Sequence, residues 1–84
     1  MYYVYYLKSL KDLNKNYVGY STDIKNRLKF HNMGMVPSTK PFTPWEIIFY
    51  EAFKNKGDAK RREQYFKTTK GRKALKIMLG NSNK

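Results

Sequence analysis

The chain is 84 residues long and carries 18 Lys and Arg against 6 Asp and Glu, a formal net charge of +12. That length suits one compact domain burying about 60% of the surface its unfolded chain exposes, with no room for a second core. With no cysteine and a single histidine, disulfide frameworks, thiolate zinc sites and multi-histidine clusters are excluded. So high a charge calls for an anionic partner, either nucleic acid through counterion release or an acidic membrane surface. No stretch approaches the ~18 to 20 apolar residues that span a bilayer. Lys8 and Lys11 follow the first apolar run instead of preceding it, unlike a signal peptide. The expectation is a soluble, cytoplasmic protein.

Residues 2–7, Tyr-Tyr-Val-Tyr-Tyr-Leu, are a continuous aromatic and β-branched run that reads as a buried strand. Lys8 to Asn16 is polar, with turn chemistry from Asp12 and Asn14, before Tyr17-Val18-Gly19-Tyr20 resumes the strand pattern and completes a hairpin. Gly19 lets the backbone turn or approach a neighbour closely, and Ser21, Thr22 and Asp23 supply N-cap oxygens for a helix. Ile24 and Leu28 form that helix's apolar stripe, with Arg27 and His31, four residues apart, at its edge. Gly34 and the prolines at 37, 41 and 44 make Asn32 to Pro44 a surface loop without a regular element.

Trp45 to Phe53 reads as a third strand, stopped by Gly57 and Asp58, which are expected to cap a second helix. Its apolar positions are Ala59 and Phe66, with Arg62 beside them, while Lys60, Arg61, Gln64 and Lys67 occupy the opposite face. Glu63 falls in the middle of the packing stripe. A last helix, from about Lys70 to Leu79 with Ala74, Leu75 and Met78 inward, ends at Gly80. The order is β-β-α-β-α-α, an α+β chain read as a single domain over 1–84, with a core over 2–79 and a frayed tail at 80–84.

Five of the six carboxylates have structural explanations: Asp12 a turn, Asp23 and Asp58 helix caps, Glu46 and Glu51 the flanks of a strand. Glu63 has none, and a bare buried carboxylate is expensive. A hard divalent cation shared with waters and a phosphate oxygen would offset its burial, and so would an ion pair with a lysine or arginine such as Arg27. Arg27 suits phosphate oxygens through its planar fork, or serves as a helix-pairing residue. His31 reads as a catalyst or as a satisfied boundary histidine, and Tyr5 and Tyr17 as site residues or as packing and base-stacking groups.

Taken together in this order, Tyr3-Val4-Tyr5, Tyr17-Val18-Gly19, Arg27, His31 and Glu63 resemble the GIY-YIG nuclease superfamily over nearly the whole chain. His31-Asn32-x-Gly34, Thr39-Lys40, Pro44-Trp45 and Tyr50-Glu51 are similar to its small stand-alone bacterial-type members. The resemblance implies a three-stranded antiparallel sheet flanked by three helices, with the two triplets on adjacent strands. It also implies a phosphodiesterase site in which Tyr5, Tyr17, Arg27, His31 and Glu63 are catalytic and Glu63 holds Mg²⁺, or Mn²⁺. The implied partner is nucleic acid, DNA ahead of RNA, cut with low sequence specificity. The alternative is a nucleic-acid-binding module with little or no turnover, in which Glu63 is a structural ion pair. The first triplet here is Tyr-Val-Tyr instead of Gly-Ile-Tyr, and Tyr20 stands where some relatives carry lysine. Asn81 is the nearest counterpart of a late asparagine found in many members.

Overall fold

A computed structural model describes residues 1–80. The expected frayed tail beyond Gly80, and Asn81 with it, lie outside the described residues. Among these, three strands form one antiparallel sheet in the order β2-β1-β3, where β1 is Tyr2–Ser9, β2 Asn16–Ser21 and β3 Trp45–Phe53. Three helices accompany it, α1 Ile24–Asn32, α2 Lys56–Phe66 and α3 Thr69–Met78. The β-β-α-β-α-α order, the hairpin and the antiparallel sheet all match what the sequence implies.

The central strand decides the layering. Successive side chains of a strand point to opposite faces, and β1 is apolar on both. Val4 and Tyr6 join Val18, Ala59, Phe66, Leu75 and Leu79 in one cluster, which brings α2 and α3 to that face. Tyr5 and Leu7 join Trp45 in another, packed by Ile24 and Leu28 of α1. A continuous apolar run is what a strand covered on both faces requires. Phe66, 1% exposed, alone supplies about 2–3 kcal/mol of hydrophobic stabilisation.

Asp23 caps α1, its side chain accepting from the Asn26 backbone N–H. Two details of the later helices differ from expectation. Asn55, not Asp58, is the N-cap of α2, its side chain accepting from the N–H groups of Gly57 and Asp58. Asp58 sits in the first turn instead, where it favours the positive end of the helix dipole and pairs with Arg61. In α3, Gly71 and Leu75 are buried, as is Leu79 just beyond the helix, whereas Met78 is exposed and Ala74 only half-buried. A Cβ at Gly71 would overlap the Tyr65 carbonyl, so α3 starts against the end of α2 at a distance only glycine permits. The loop after α1 also contains one regular piece, a single 3₁₀ turn at Lys40–Phe42. Arg62 reaches from α2 to β3, where its Nε and one terminal nitrogen donate to the two oxygens of Glu51 at 2.8 and 3.3 Å.

Candidate active site

The α1 face of the β1–β2 hairpin is where the polar groups gather. Register places Tyr5 of β1 opposite Gly19 of β2. The Tyr5 phenol lies directly across the glycine, because a Cβ at Gly19 would overlap Tyr5 Cζ and Oη. Gly19 is thus needed for a close approach, with a side chain as its neighbour. Tyr17, two residues earlier, projects from the same face with its ring 6.3 Å from that of Tyr5.

Helix α1 lays Arg27 and His31 on these two tyrosines. His31 is fully buried, at 0% exposure, and its ring lies 5.0 Å from Tyr17 and 5.8 Å from Tyr5. Its Nε2 is 2.9 Å from the Tyr5 hydroxyl and its Nδ1 2.7 Å from Thr39 Oγ1. The Thr39 hydroxyl has one proton, and the Val36 carbonyl receives it at 3.3 Å. Thr39 Oγ1 therefore accepts from His31 Nδ1–H, which leaves Nε2 to accept from the Tyr5 O–H. Burial, reinforced by the positive charge of Arg27, pushes the His31 imidazole down to about 4, so it is neutral at pH 7. Burial likewise pushes the Tyr5 phenol up to about 12, against the opposing pull of Arg27. Tyr5 is therefore a fixed proton donor.

The loop holding Thr39 is tied down by motif residues. Asn32 Nδ2 donates to the Trp45 carbonyl at 3.1 Å, and the Trp45 backbone N–H donates to Asn32 Oδ1 at 2.6 Å. The Trp45 indole N–H donates to the Thr39 carbonyl at 2.9 Å. Gly34, at φ +75°, takes the left-handed conformation that turns the chain out of α1. Thr39 is the functional residue whose role the sequence does not reveal. It appears in the motif Thr39-Lys40, but its partnership with His31 crosses a proline-rich loop with no periodicity to follow.

Arg27 is half-buried, with its guanidinium turned to the phenols of Tyr5, foremost, and Tyr17, which hold it firmly in the charged form. Its Nε is buried and has no hydrogen-bond partner among the described residues. A buried guanidinium N–H left unpaired costs about 1–3 kcal/mol or more.

Glu63 approaches from α2, which packs against β1 and β2. It is buried, at 8% exposure, and close enough to Tyr5 for its charge to oppose ionisation of that phenol. The ion-pair alternative for Glu63 is met by lysines of its own helix and not by Arg27. Glu63 meets Lys67 at 3.2 Å and, more loosely, Lys60 at 4.0 Å, the spacings of one helical turn. Those lysines in turn cover the neighbouring strand, Lys67 Nζ lying 5.9 Å above the Tyr17 ring and Lys60 Nζ 4.2 Å above that of Tyr20. Tyr5, Tyr17, Arg27 and His31 thus form one contact group, and Glu63 faces it with Lys67 between.

No group of three or more His, Cys, Asp or Glu that could hold a metal occurs among the described residues. A lone carboxylate fits Mg²⁺ nonetheless, because that ion keeps several waters and takes substrate phosphate oxygens as further ligands. The two lysines that meet Glu63 are 43% and 50% exposed at their side chains.

A three-stranded antiparallel sheet with Tyr5 and Tyr17 on its central and outer strands, and Arg27, His31 and Glu63 on the helices beside it, is the architecture of the GIY-YIG catalytic domain, and the model of that family matches residues 1–76. The chain belongs to this nuclease-type family. It is similar to the UPF0213 protein YazA of Bacillus subtilis, at 41% identity over 75 residues, covering 87% of this chain and 75% of that protein. It is also similar to the UPF0213 protein SH2523 of Staphylococcus haemolyticus, at 38% identity over 77 residues, covering 90% of this chain and 92% of that one. No solved structure matches the chain significantly. No helix among the described residues is long and apolar enough to cross a membrane.

Proposed function

We propose that the protein is a divalent-metal-dependent nuclease that hydrolyses phosphodiester bonds of nucleic acid, DNA ahead of RNA, with low sequence specificity. The observation that carries this reading is the Arg27 guanidinium turned to two phenols, with a buried carboxylate facing the same group. It is an anion site facing a cation site.

Arg27 binds the scissile phosphate and neutralises charge that develops on its equatorial oxygens. Glu63 would hold Mg²⁺, or Mn²⁺, with Lys67 displaced. An ion held there would supply Lewis-acid polarisation of the phosphate and stabilisation of the leaving oxygen. Tyr5 donates to His31 and is too firmly protonated to serve as a base. With both nitrogens engaged and no exposure, His31 acts as a positioning residue that aims the Tyr5 hydroxyl. Tyr17, at the open side of the group, is the residue left to orient the attacking water or take its proton. Water adds to phosphorus, one P–O ester bond breaks, and the departing oxygen ends protonated.

The test is cleavage of labelled single-stranded, duplex and branched DNA, and of RNA, in Mg²⁺, in Mn²⁺ and in chelator. The wild-type protein is compared with Glu63→Ala and Arg27→Ala. Metal-dependent cleavage that falls by at least ~10²-fold in both variants is the expected result. Equal cleavage by all three proteins would mean a contaminant. The Lys67–Glu63 pair at 3.2 Å favours a second reading, a binding module without turnover in which that pair is structural. Salt-sensitive binding with no metal-dependent cleavage on any substrate would select it.

A further inference from the structure

A second feature adjoins the site and takes no part in the chemistry above. Between the start of β2, the end of α2 and the outer face of α3 lies a groove of about 580 Å³. Tyr17 and Lys67, which lie at the candidate active site, are also part of its wall, so the groove adjoins that site. From there the groove runs past Lys15 on one side and Arg72 and Lys76 on the other. Among the described residues its lining contains no carboxylate.

Arg72 and Lys76 are four residues apart on α3, so one helical face presents them in line, with Cβ atoms about 5–6 Å apart. Both are exposed, and no ion pair engages them or Lys15 among the described residues. Arg72 lies close enough to the buried Tyr6 at the base of the groove for its charge to act on that phenol. Cations in a row, with an aromatic floor and asparagines of the hairpin along the wall, form a track suited to a chain of phosphates. A cleft of this volume falls in the range of ligand-binding clefts.

We propose that this groove is a second binding site, holding the phosphodiester backbone of one nucleic-acid strand beside the scissile bond. Arg72, Lys76 and Lys15 are its phosphate contacts, and Lys67 joins it to the active site. The inference rests on the nuclease reading for its position along the substrate, but its binding chemistry is independent of turnover.

Binding of a fluorescently labelled single-stranded oligonucleotide, followed by anisotropy in chelator across a salt series, tests it. The full chain is compared with Arg72→Gln/Lys76→Gln and with Lys54→Gln/Lys56→Gln. The control pair removes the same charge from exposed positions at the opposite end of α2. Near physiological salt, charges beyond about 8 Å are screened, so local contact and net charge separate. The groove pair is expected to weaken binding about tenfold and to reduce the slope of log K against log salt by roughly 1 per lost contact. The control pair is expected to leave both nearly unchanged. Equal losses in the two pairs would overturn the proposal, and so would a groove pair that binds like wild type. Lys15→Gln, tested separately, should show a single-contact loss. If no protein cleaves in Mg²⁺ but the groove pair alone loses binding, the nuclease reading fails while the groove stands. If cleavage is normal and the groove pair is silent, the reverse holds.

Discussion

His31 is the chain's only histidine, which makes its ionisation a clean probe of how the candidate site is built. Folding takes the imidazole from an ordinary value of 6.5 down to about 4. Between those values the unfolded chain binds a proton that the folded protein does not, so stability is complete above about pH 6.5. It declines as pH falls toward 4, then levels off. Within that window each step of one in pH is worth about 1.4 kcal/mol, so moving from pH 7.5 to pH 5 should cost about 2 kcal/mol through this one group. Urea unfolding of the wild type and of His31→Gln at pH 7.5, 6 and 5 measures it. The variant is less stable throughout, but the relevant quantity is its pH slope, from which the His31 contribution should be missing. The sole imidazole resonance in the wild-type NMR spectrum should stay in its neutral form down to about pH 5. Parallel loss of stability in both proteins, or a folded-state titration near 6.5, would refute the buried neutral imidazole, and with it the direction of the Tyr5–His31 hydrogen bond.

Two further outcomes follow from the packing of the site. Gly19→Ala drives a methyl group into the Tyr5 phenol and should cost about 1–3 kcal/mol by overpacking, read as a lower Tm. An unchanged Tm would mean the phenol does not lie across the glycine. Thr39→Val keeps the shape but leaves His31 Nδ1–H without its acceptor in a buried position, at a cost of about 1–3 kcal/mol. Imidazole nitrogen shifts should report the Nδ1–H tautomer in the wild type and a change in the variant. The same tautomer in both, with stability unaltered, would show that the threonine does not fix it.

The order of the elements is legible because each carries a local signature. Three aromatic and β-branched runs, a Pro-rich interval, and three polar stretches with apolar residues at helical spacing leave few alternatives. Glu63 also stands out locally, as a charge in the wrong phase of its helix. What the sequence conceals is mostly a choice between neighbours. Asn55 and Asp58 both offer cap chemistry, and only the backbone shows that the helix begins at Lys56. Met78 and Leu79 differ by 100° at a helix end where the chain has already left the regular path, so periodicity alone turns the wrong one inward. The partner of Glu63 is readable in principle, since Glu with Lys four residues later is a favoured helical pair, yet a carboxylate in a packing stripe points as readily to an arginine on another helix. Thr39 is a different matter. Its distance from His31 is set by a loop whose path depends on Asn32, Gly34 and Trp45 acting together, which no local rule encodes.

The pairing of Asn32 with Trp45 reaches beyond the loop it closes. The side-chain amide gives one N–H to the Trp45 carbonyl and takes the Trp45 N–H on its oxygen, which is the exchange a neighbouring strand would offer. β3 is an outer strand of the sheet, and an outer strand with free backbone groups is a template for another chain. Here its first residue is already occupied by a side chain imitating a strand. One asparagine therefore blunts self-association at that end of the sheet, a service to solubility from a residue whose sequence position, next to His31, points only to the site.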